Sequence, residues 1–573
     1  MVPLLILFLS LSLSAAPIDD FFTRFSTEWV RQDPLLATSS QYFAGAEQQR
    51  LDAELPSFTE ESARQRIALA RKGLVELNRF NRKSLTPTQV VSAASMEWQL
   101  RNIIDEEPYL DYTYPFRQFA GLQLALTDAL TTTHPIRNRQ DAENYIARLR
   151  LVASRLDQGI RLAQKRAAKG VIPPRFILTA TTDQMNRFIE PSPASNLLVT
   201  TFAERIEKIP SITPGTRGDF KSTAEAIVRD SVYPAWRRVI ALLESQVPKS
   251  TEQAGYWKFP NGAELYAFYL RRFTTTAMTA GEIHETGLKE VARLEREMDE
   301  VLRKLGFRDF NQAQAALIYP DSPAVRSQVL ADYVQFIRDA EKRSAPLFDL
   351  RPKAPVEVRR IPEYRERNTP AHYTLPARDG SRPGIFWAPL PGPTFSRINM
   401  RTLAYHEAVP GHHFQLALQQ ENTELPRFRT DSLLGILSAY AEGWGLYAEQ
   451  LAAEGNWFEG DLTGQLGYLA SQLFRARRLV VDTGLHSKRW TRQQAIDYGI
   501  SPLEVDRYIV WPGQACSYKI GQLRIVELRE KARRAMGPRF DLKQFHNLVL
   551  RTGQVPLQVL ETVVDRWTAS SNQ

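Results

Sequence analysis

The hydrophobic pattern of the first 344 residues is that of successive amphipathic helices. Apolar residues recur at three- and four-residue spacing in stretches such as 141–165 and 281–305, which is the period at which one face of an α-helix repeats. Thr279 and Glu282 have the spacing of a capping box just before the second stretch. We therefore predict that residues 17–344 form an all-helical N-terminal part, with a helix beginning after Thr279.

The pattern changes over residues 345–398, where prolines interrupt any long helix. The run Gly384–Ala388 has the β-branched and aromatic content of a short strand. If this strand lies at the edge of a sheet, it could hold an extended peptide by backbone pairing. The ten prolines of the segment are Pro346, Pro352, Pro355, Pro362, Pro370, Pro376, Pro383, Pro389, Pro391 and Pro393.

From residue 399 to 573 the helical periodicity returns, and this part contains the candidate metal-binding residues. The proline-rich segment leads directly into them. We therefore predict one catalytic unit over residues 17–573 rather than separate domains.

The first sixteen residues, MVPLLILFLSLSLSAA, contain no charged side chain. An apolar run followed by small residues is typical of a secretory signal peptide. The run of about a dozen apolar residues is shorter than the roughly 20 that span a bilayer. We expect residues 1–16 to be a signal peptide, and the protein to be secreted or periplasmic without stable membrane insertion.

The composition of the chain restricts which kinds of binding site it can form. The chain has 573 residues, 43% of them hydrophobic and 24% charged, which is typical of a globular protein. Its 73 basic and 64 acidic residues leave a net charge of +9, and no compact basic motif predicts nucleic-acid binding. Cys516 is the only cysteine, so the sequence offers no disulfide, no cysteine-ligated zinc and no lipid-attachment cysteine after the leader. A metal must be held by histidines and carboxylates.

Three of the eight histidines lie within eight residues, in the segment LAYHEAVPGHHFQ. In the H-E-x-x-H pattern two histidines four residues apart bind zinc, and the glutamate between them is the general base. His406 and Glu407 match the first half of that pattern, but the residue four positions after His406 is Pro410. We predict that His406 is a metal ligand and that Glu407 is the general base.

The second histidine ligand depends on the backbone between the two. In an unbroken helix His413 would share the face of His406, but about 10.5 Å along the axis. His412 would point about 120° away from His406, unless the Pro410-Gly411 pair kinks the chain. We favour His412 as the second ligand and keep His413 as the alternative.

A third ligand is predicted in the segment SAYAEGWGLYAE, where Glu442 lies among apolar and aromatic residues. Burying an unpaired carboxylate there would be costly, and a metal ion would remove the cost. Two histidines and one carboxylate leave a fourth position open, as in catalytic zinc sites. We expect one Zn²⁺ per chain. Glu449 is expected either to support a ligand or to lie at the surface.

These motifs resemble those of the bacterial domain of unknown function 885 family. The resemblance is carried by HEAVPGHHFQ, AYAEGWGLYAEQ, RLVVDTGLH and RYIVWPGQACSYKIG. More distantly, the arrangement is similar to helical zinc peptidases of the angiotensin-converting enzyme and carboxypeptidase Taq type. That similarity implies a mostly α, two-lobed fold with a deep cleft and a small β element beside the metal helix. It also implies His412 and Glu442 as ligands.

Further residues could complete a mechanism. Tyr508 follows an arginine, as does the phenol donor of the converting-enzyme relatives, and Tyr518 is the alternative oxyanion donor. Asp482 and His486 are four residues apart on a predicted helix, so Asp482 could orient His486 to donate to the tetrahedral intermediate. One guanidinium of the run Arg475, Arg477 and Arg478 could receive the terminal carboxylate of a peptide.

The sequence thus predicts a zinc-dependent hydrolase, a metallopeptidase that cleaves short or extended peptides. One alternative is a zinc amidase or esterase that acts on a non-peptide substrate. The other is a non-catalytic exported protein that binds its ligand without turnover. The oligomeric state is left open.

Overall fold

The computed structural model describes residues 17–320, 322–361, 366, 370–378, 380, 382–390, 392 and 394–570. The predicted signal peptide, residues 1–16, lies outside the described residues. The α-helices before the proline-rich segment are Pro17–Arg31, Pro34–Ser40, Gly45–Asp52, Glu60–Leu77, Pro87–Asp105, Leu122–Asp128, Arg139–Ala168, Arg175–Ile189, Leu197–Glu207, Pro214–Ile227, Tyr233–Gln246, Gly262–Thr274, Ala280–Leu305, Phe310–Ala316 and Pro323–Ser344.

The described β-strands are β1 (Ile318–Pro320), β2 (Val356–Arg360), β3 (His372–Thr374), β4 (Gly384–Ala388) and β5 (Thr394–Ser396). The α-helices that follow them are Met400–Glu407, His412–Glu421, Arg427–Thr430, Ser438–Glu454, Leu462–His486, Arg492–Asp497, Pro502–Val510, Ser517–Met536, Leu542–Thr552 and Leu557–Ser570. We call three of these the His406 helix (Met400–Glu407), the Glu442 helix (Ser438–Glu454) and the Arg478 helix (Leu462–His486).

Over the described residues 17–320 and 322–344, the N-terminal part is helical, as predicted, with one exception. The helix Ala280–Leu305 begins with the expected capping box, in which the side chains of Thr279 and Glu282 accept from each other's backbone N–H groups. The exception is β1, which pairs antiparallel with β5. Because β5 lies almost eighty residues further along the chain, the pairing is long-range and local periodicity gave no sign of it.

The predicted strand Gly384–Ala388 is present as β4, but the prediction that it lies at a sheet edge is wrong. β4 is the central strand of a three-stranded sheet, with β2 parallel to it on one side and β3 antiparallel on the other. Both of its backbone edges are therefore paired, and it cannot receive a peptide by strand addition.

The mostly α fold is built around several apolar cores. In the N-terminal part, Tyr145 stacks on Phe202 with ring centroids 4.2 Å apart, inside a core whose described members all precede position 250. In the C-terminal part, one core joins the central strand through Phe386 to the His406 helix through Tyr405 and to the Glu442 helix through Trp444. This second core fixes the helices that carry the candidate ligands.

Close helix packing is made possible by glycines. An added Cβ on Gly443 would lie 2.6 Å from the Cα of Gly521, so the Glu442 helix and the helix Ser517–Met536 meet backbone to backbone. Gly287 similarly brings the helix Ala280–Leu305 within contact of Leu479 on the Arg478 helix. Among the described residues, no helix is both long and apolar enough to cross a membrane.

Candidate metal centre

The turn between residues 408 and 411 decides which histidine lies beside His406. The His406 helix ends at Glu407, and the next helix begins at His412. Gly411 lies against the carbonyl oxygen of His406, where an added Cβ would be only 1.9 Å away. A side chain at this position would therefore prevent the tight turn, which returns the His412 ring to within 4.7 Å of the His406 ring, centroid to centroid.

His406, His412 and Glu442 form a cluster in which each residue offers one ligand atom and all three atoms lie within 4.8 Å of one another. Nε2 of His406 is 3.5 Å from Oε2 of Glu442, and Nε2 of His412 is 3.4 Å from the same oxygen. The three side chains come from three different helices. All are largely buried, with 4%, 12% and 22% of each side chain exposed.

The spacing of these atoms fits a shared metal ion better than direct hydrogen bonds. Hydrogen bonds between nitrogen and oxygen are usually about 2.7–3.2 Å long, shorter than both contacts. Two donors that each lie about 2.0–2.1 Å from a tetrahedral metal are separated by roughly 3.4 Å. Two imidazole nitrogens and one carboxylate oxygen also match the ligand types of catalytic metal sites with one open position.

Glu449 supports the cluster from behind. Nδ1 of His406 donates to Oε1 of Glu449 at 2.8 Å, so in the neutral ring the lone pair is on Nε2 and faces Glu442. The second oxygen of Glu449 accepts from the Ser471 hydroxyl at 2.8 Å and from the Gln472 amide at 3.0 Å. A carboxylate behind a ligating histidine fixes its tautomer and raises its basicity. Glu449 is fully buried, so the surface alternative for it is wrong.

The electrostatics of the cluster favour positive charge. Burial alone would lower the pKa of His406, but the adjacent carboxylates of Glu442 and Glu449 outweigh it and raise the pKa to about 10. Burial alone would raise the pKa of Glu442, and the contacts with His406 and His412 instead hold it well below its usual value. Two carboxylates at one imidazole therefore attract a cation, either a proton or a metal ion.

Gly445 makes room for the His406 ring. It lies three residues after Glu442 on the same helix, and an added Cβ there would be 2.7 Å from Cε1 of His406. Gly445, Ser471 and Gln472 were not among the residues predicted from the sequence. The glycine spacing in EGWG was the available signal, because two glycines in a buried helix indicate that something approaches closely.

Glu407 lies next to the cluster and is 6% exposed. Among the residues that the structure describes, its carboxylate has no hydrogen-bond partner. It follows His406 directly at the end of the His406 helix, so its side chain is held by the same backbone that places the ligand. A buried carboxylate without a protein partner is suited to accept a proton from water.

The alternative second ligand, His413, lies outside the cluster. Its Nδ1 is 2.9 Å from the hydroxyl of Tyr373 on β3. Burial lowers the pKa of His413 to about 4, so the ring is neutral. The break between the two helices at residues 408–411 turns His412 towards His406 and sends the following side chain to the sheet. Of the two candidates, the structure places His412 at the centre.

The prediction that Asp482 orients His486 is wrong. Nδ1 of His486 accepts from the backbone N–H of Tyr256 at 3.2 Å, and Nε2 donates to the carbonyl of Tyr508 at 3.0 Å. Both ring nitrogens are thus used by backbone groups, and His486 has no proton to offer a substrate. The Asp482 carboxylate accepts instead from the hydroxyl of Tyr266 at 2.6 Å.

The two candidate tyrosines differ in environment. Tyr508 is fully buried, and its hydroxyl accepts from Nε of Arg478 at 2.9 Å and donates to Glu504 at 2.8 Å. Tyr518 is partly exposed, and its hydroxyl has a long contact of 3.4 Å with Arg507. Of the two hydroxyl groups, that of Tyr518 is therefore the less engaged.

The arginine run separates into three environments. Arg475 donates to the Ser471 hydroxyl at 2.6 Å, which places it beside Glu449. Arg477 faces the other way and pairs with Glu295 at 2.9 Å. Arg478 is buried against Tyr508 and Glu504.

The fold and the site together define a mostly helical protein with a buried His-His-Glu cluster. Comparison with known proteins identifies its family. Residues 34–564 match the family described as bacterial protein of unknown function, DUF885. The chain belongs to that family. None of the curated proteins matches it.

Solved structures show the same fold. A protein from Colwellia psychrerythraea described as a "putative lipoprotein" is 31% identical, with a TM-score of 0.91 over 96% of this chain and 99% of its own. A second, from Shewanella oneidensis, described as a "putative lipoprotein of unknown function", is 19% identical, with a TM-score of 0.68 over 96% of this chain and 99% of its own.

Proposed function

We propose that this protein is a zinc-dependent hydrolase and that its substrates are peptides. The observation that carries the proposal is the buried cluster of His406, His412 and Glu442, with the unpartnered carboxylate of Glu407 beside it. Two histidines, one carboxylate and an adjacent glutamate are the components that zinc peptidases use to activate water. Of the biological metals, zinc is the one that this donor set suits best.

In the proposed hydrolysis, Glu407 and Glu449 have different roles. Glu407 accepts the proton of the attacking water and passes it to the leaving amine, as a general base and then a general acid. Glu449 holds the His406 ring in the tautomer whose Nε2 faces the cluster. A bound zinc ion supplies Lewis-acid chemistry, because it makes water more acidic and a carbonyl carbon more electrophilic.

The oxyanion that develops during amide hydrolysis needs a hydrogen-bond donor. Tyr518 is the better candidate, because its hydroxyl is only weakly engaged, by Arg507 at 3.4 Å. The burial of Tyr508 and its two strong partners, Arg478 and Glu504, argue against that residue in this role.

The proposal includes a location outside the cytoplasm. The apolar leader at residues 1–16 supports export. The similar protein from Colwellia psychrerythraea is described as a "putative lipoprotein", and that description also supports an extracytoplasmic setting. Detection of the processed protein in a periplasmic or culture fraction tests this part.

The decisive experiment combines metal analysis with digestion of a peptide library. Wild type purified in zinc-containing buffer is expected to hold about one zinc ion per chain and to cleave library peptides. Glu407→Gln is expected to keep its zinc and to lose at least about 10²-fold in turnover. Glu459→Gln is the matched control, because Glu459 is exposed.

The alternatives correspond to different outcomes. Protein that stays free of zinc under these conditions would overturn the proposal. Cleavage of ester or amide probes without cleavage of peptides would favour an amidase or esterase. Peptide binding without any cleavage by the zinc-loaded protein would favour a non-catalytic binding protein.

A further inference from the structure

Three arginines of the C-terminal part each have a buried N–H group without a hydrogen-bond partner among the described residues. The groups are Nε of Arg475, Nη1 of Arg478 and Nε of Arg507. Other arginines of the described chain also have an unpaired buried N–H, but these three lie together on the Arg478 helix and the helix Pro502–Val510. Buried donors are usually paired, so this local group of exceptions calls for an explanation. A ligand that accepts hydrogen bonds would supply one.

The same cluster has more positive than negative charge. Nη2 of Arg478 and Nη1 of Arg507 contact the same carboxylate, that of Glu504, at 2.9 and 3.3 Å. Two guanidinium groups therefore share the carboxylate of Glu504. The other acidic group that interacts with Arg507, Asp482, compensates it only in part, because burial raises the pKa of Asp482 to about 7. An arginine is costly to bury without full pairing, so an anion would complete the group.

The geometry restricts how that anion can approach Arg478. Its guanidinium carbon is 4.3 Å from the ring centroid of Phe474 and 4.4 Å from that of Tyr518, so both rings lie close against the group. Nε donates to Tyr508 and Nη2 to Glu504, and only Nη1 is unused. Since Nη1 is closed off from solvent, a ligand can reach it only if a neighbouring side chain moves.

The cluster is connected to the metal centre. Glu449, which holds His406, accepts from Ser471, and Ser471 in turn accepts from Nη1 of Arg475 at 2.6 Å. Arg478 is three residues further along the same helix, which is about 4.5 Å along the axis. The arginines are thus linked to the metal centre through the Arg478 helix, which carries both Ser471 and Arg478.

We propose that Arg478 and Arg507 form a subsite that binds a carboxylate of the substrate. The inference rests on the proposed function, because it specifies which peptides the site takes. Each arginine has one unused donor, Nη1 of Arg478 and Nε of Arg507, and a hydrogen bond from a guanidinium to a carboxylate is stronger than one between neutral groups. The carboxylate has two possible sources: the C-terminus of a peptide, or the side chain of an aspartate or glutamate.

The test compares matched peptides that differ only in that carboxylate. One pair is a pentapeptide as the free acid and as the C-terminal amide, and the other carries glutamate or glutamine near its end. Binding is measured by calorimetry on zinc-loaded Glu407→Gln protein, so it does not depend on turnover. Hydrolysis is measured separately on wild type.

We expect one of the two carboxylate peptides to bind about 10- to 100-fold more tightly than its neutral partner, as for hydrogen bonds to charged groups. Arg478→Gln should bring that ratio close to one. Arg477→Gln is the control, because Arg477 pairs with Glu295 on another face of the helix. Arg507→Gln is the second variant, since its side chain is 12% exposed and tolerates change better than a fully buried one.

The ratio between paired peptides remains meaningful even if a variant is partly unfolded, because both peptides then lose binding equally. A preference for the free acid assigns the subsite to a peptide C-terminus, and a preference for glutamate assigns it to an acidic side chain. Equal binding within both pairs would overturn the subsite. Tight and selective binding without hydrolysis by wild type would overturn the proposed function and leave the subsite standing.

Discussion

Nδ1 of His406 lies 2.8 Å from a carboxylate oxygen of Glu449, and both side chains are almost completely buried. The His406 ring is thereby held from one side by a carboxylate and faces the Glu442 carboxylate with its other nitrogen. The orientation of the candidate ligand thus comes from a residue that does not itself belong to the metal cluster. The contribution of Glu449 can therefore be tested without changing the candidate ligand His406.

Glu449→Gln should weaken zinc binding without abolishing it. The glutamine oxygen can still accept from Nδ1 of His406, but the negative charge that makes the ring more basic is lost. Losses of 10- to 100-fold in metal affinity are typical when such a supporting group is changed. Competition with a chelator measures the affinity, and Glu459→Gln, at an exposed position, is the control. Unchanged affinity would show that the charge of Glu449 is not needed.

His412→Ala and His413→Ala should differ sharply in zinc content. Nε2 of His412 is 3.4 Å from the carboxylate of Glu442, whereas His413 contacts Tyr373. We expect the first variant to retain less than about a tenth of the wild-type zinc, as for a lost ligand, and the second to keep about one ion per chain with some loss of stability. Zinc analysis after dialysis distinguishes them. The opposite result would assign the second ligand to His413.

Gly445→Ala should displace the His406 ring. The added methyl group would lie 2.7 Å from Cε1 of His406, and such overpacking costs about 1–3 kcal/mol of stability. Zinc affinity should fall at the same time. Gly218→Ala is the matched control, because it lies in the helix Pro214–Ile227 with nothing within 4 Å of the new Cβ. That variant should be neutral or slightly stabilising. Normal zinc affinity in Gly445→Ala would contradict the close approach.

Much of the metal centre follows from the sequence, because its residues obey local rules. His406 is recognised from the H-E pair, and Glu442 from the cost of a carboxylate within an apolar helix. The choice between His412 and His413 depends on the backbone conformation of residues 408–411. In a regular helix neither histidine would lie close enough to His406 to share a metal ion.

The wrong predictions share a physical cause, which is long-range packing. The spacing of Asp482 and His486 lets the two meet on one helix face, but Tyr266 and backbone groups from other segments take their polar atoms instead. The position of β4 within its sheet depends on β2 and β3, and neither partner strand is identifiable from the periodicity of β4 itself. Local spacing predicts which contacts are available, not which of them form.

Tyr518→Phe and Tyr508→Phe should separate catalysis from stability. Removal of the weakly engaged Tyr518 hydroxyl should lower kcat by about 10²-fold, as for a lost oxyanion donor, with little change in Tm. Removal of the Tyr508 hydroxyl leaves Arg478 and Glu504 short of a buried partner, which costs about 1–3 kcal/mol. Peptide hydrolysis and calorimetry measure the two effects. A kcat loss confined to Tyr508→Phe would reverse the assignment.

The buried carboxyl of Asp482 should make stability depend on pH in a predictable direction. Burial raises its pKa to about 7, although hydrogen bonds from Tyr266 and Gly513 oppose the shift. In the unfolded chain the pKa is about 3.9. Between roughly pH 4 and pH 7 the folded protein therefore binds more protons than the unfolded chain, so its stability falls as pH rises through this window. About three pKa units correspond to a loss on the order of 4 kcal/mol.

Asp482→Asn isolates this contribution, because asparagine resembles the protonated carboxyl and can still accept from Tyr266 and Gly513. We expect the Tm of the variant relative to wild type to increase from about pH 4.5 to about pH 7.5, since only wild type must give up a proton from a buried site. Asp497→Asn, at an exposed position, should show a constant difference from wild type over the same range. Calorimetric scans at several pH values measure both. A constant difference for Asp482→Asn would show that the carboxyl is already ionised throughout the range, and that its hydrogen bonds outweigh burial.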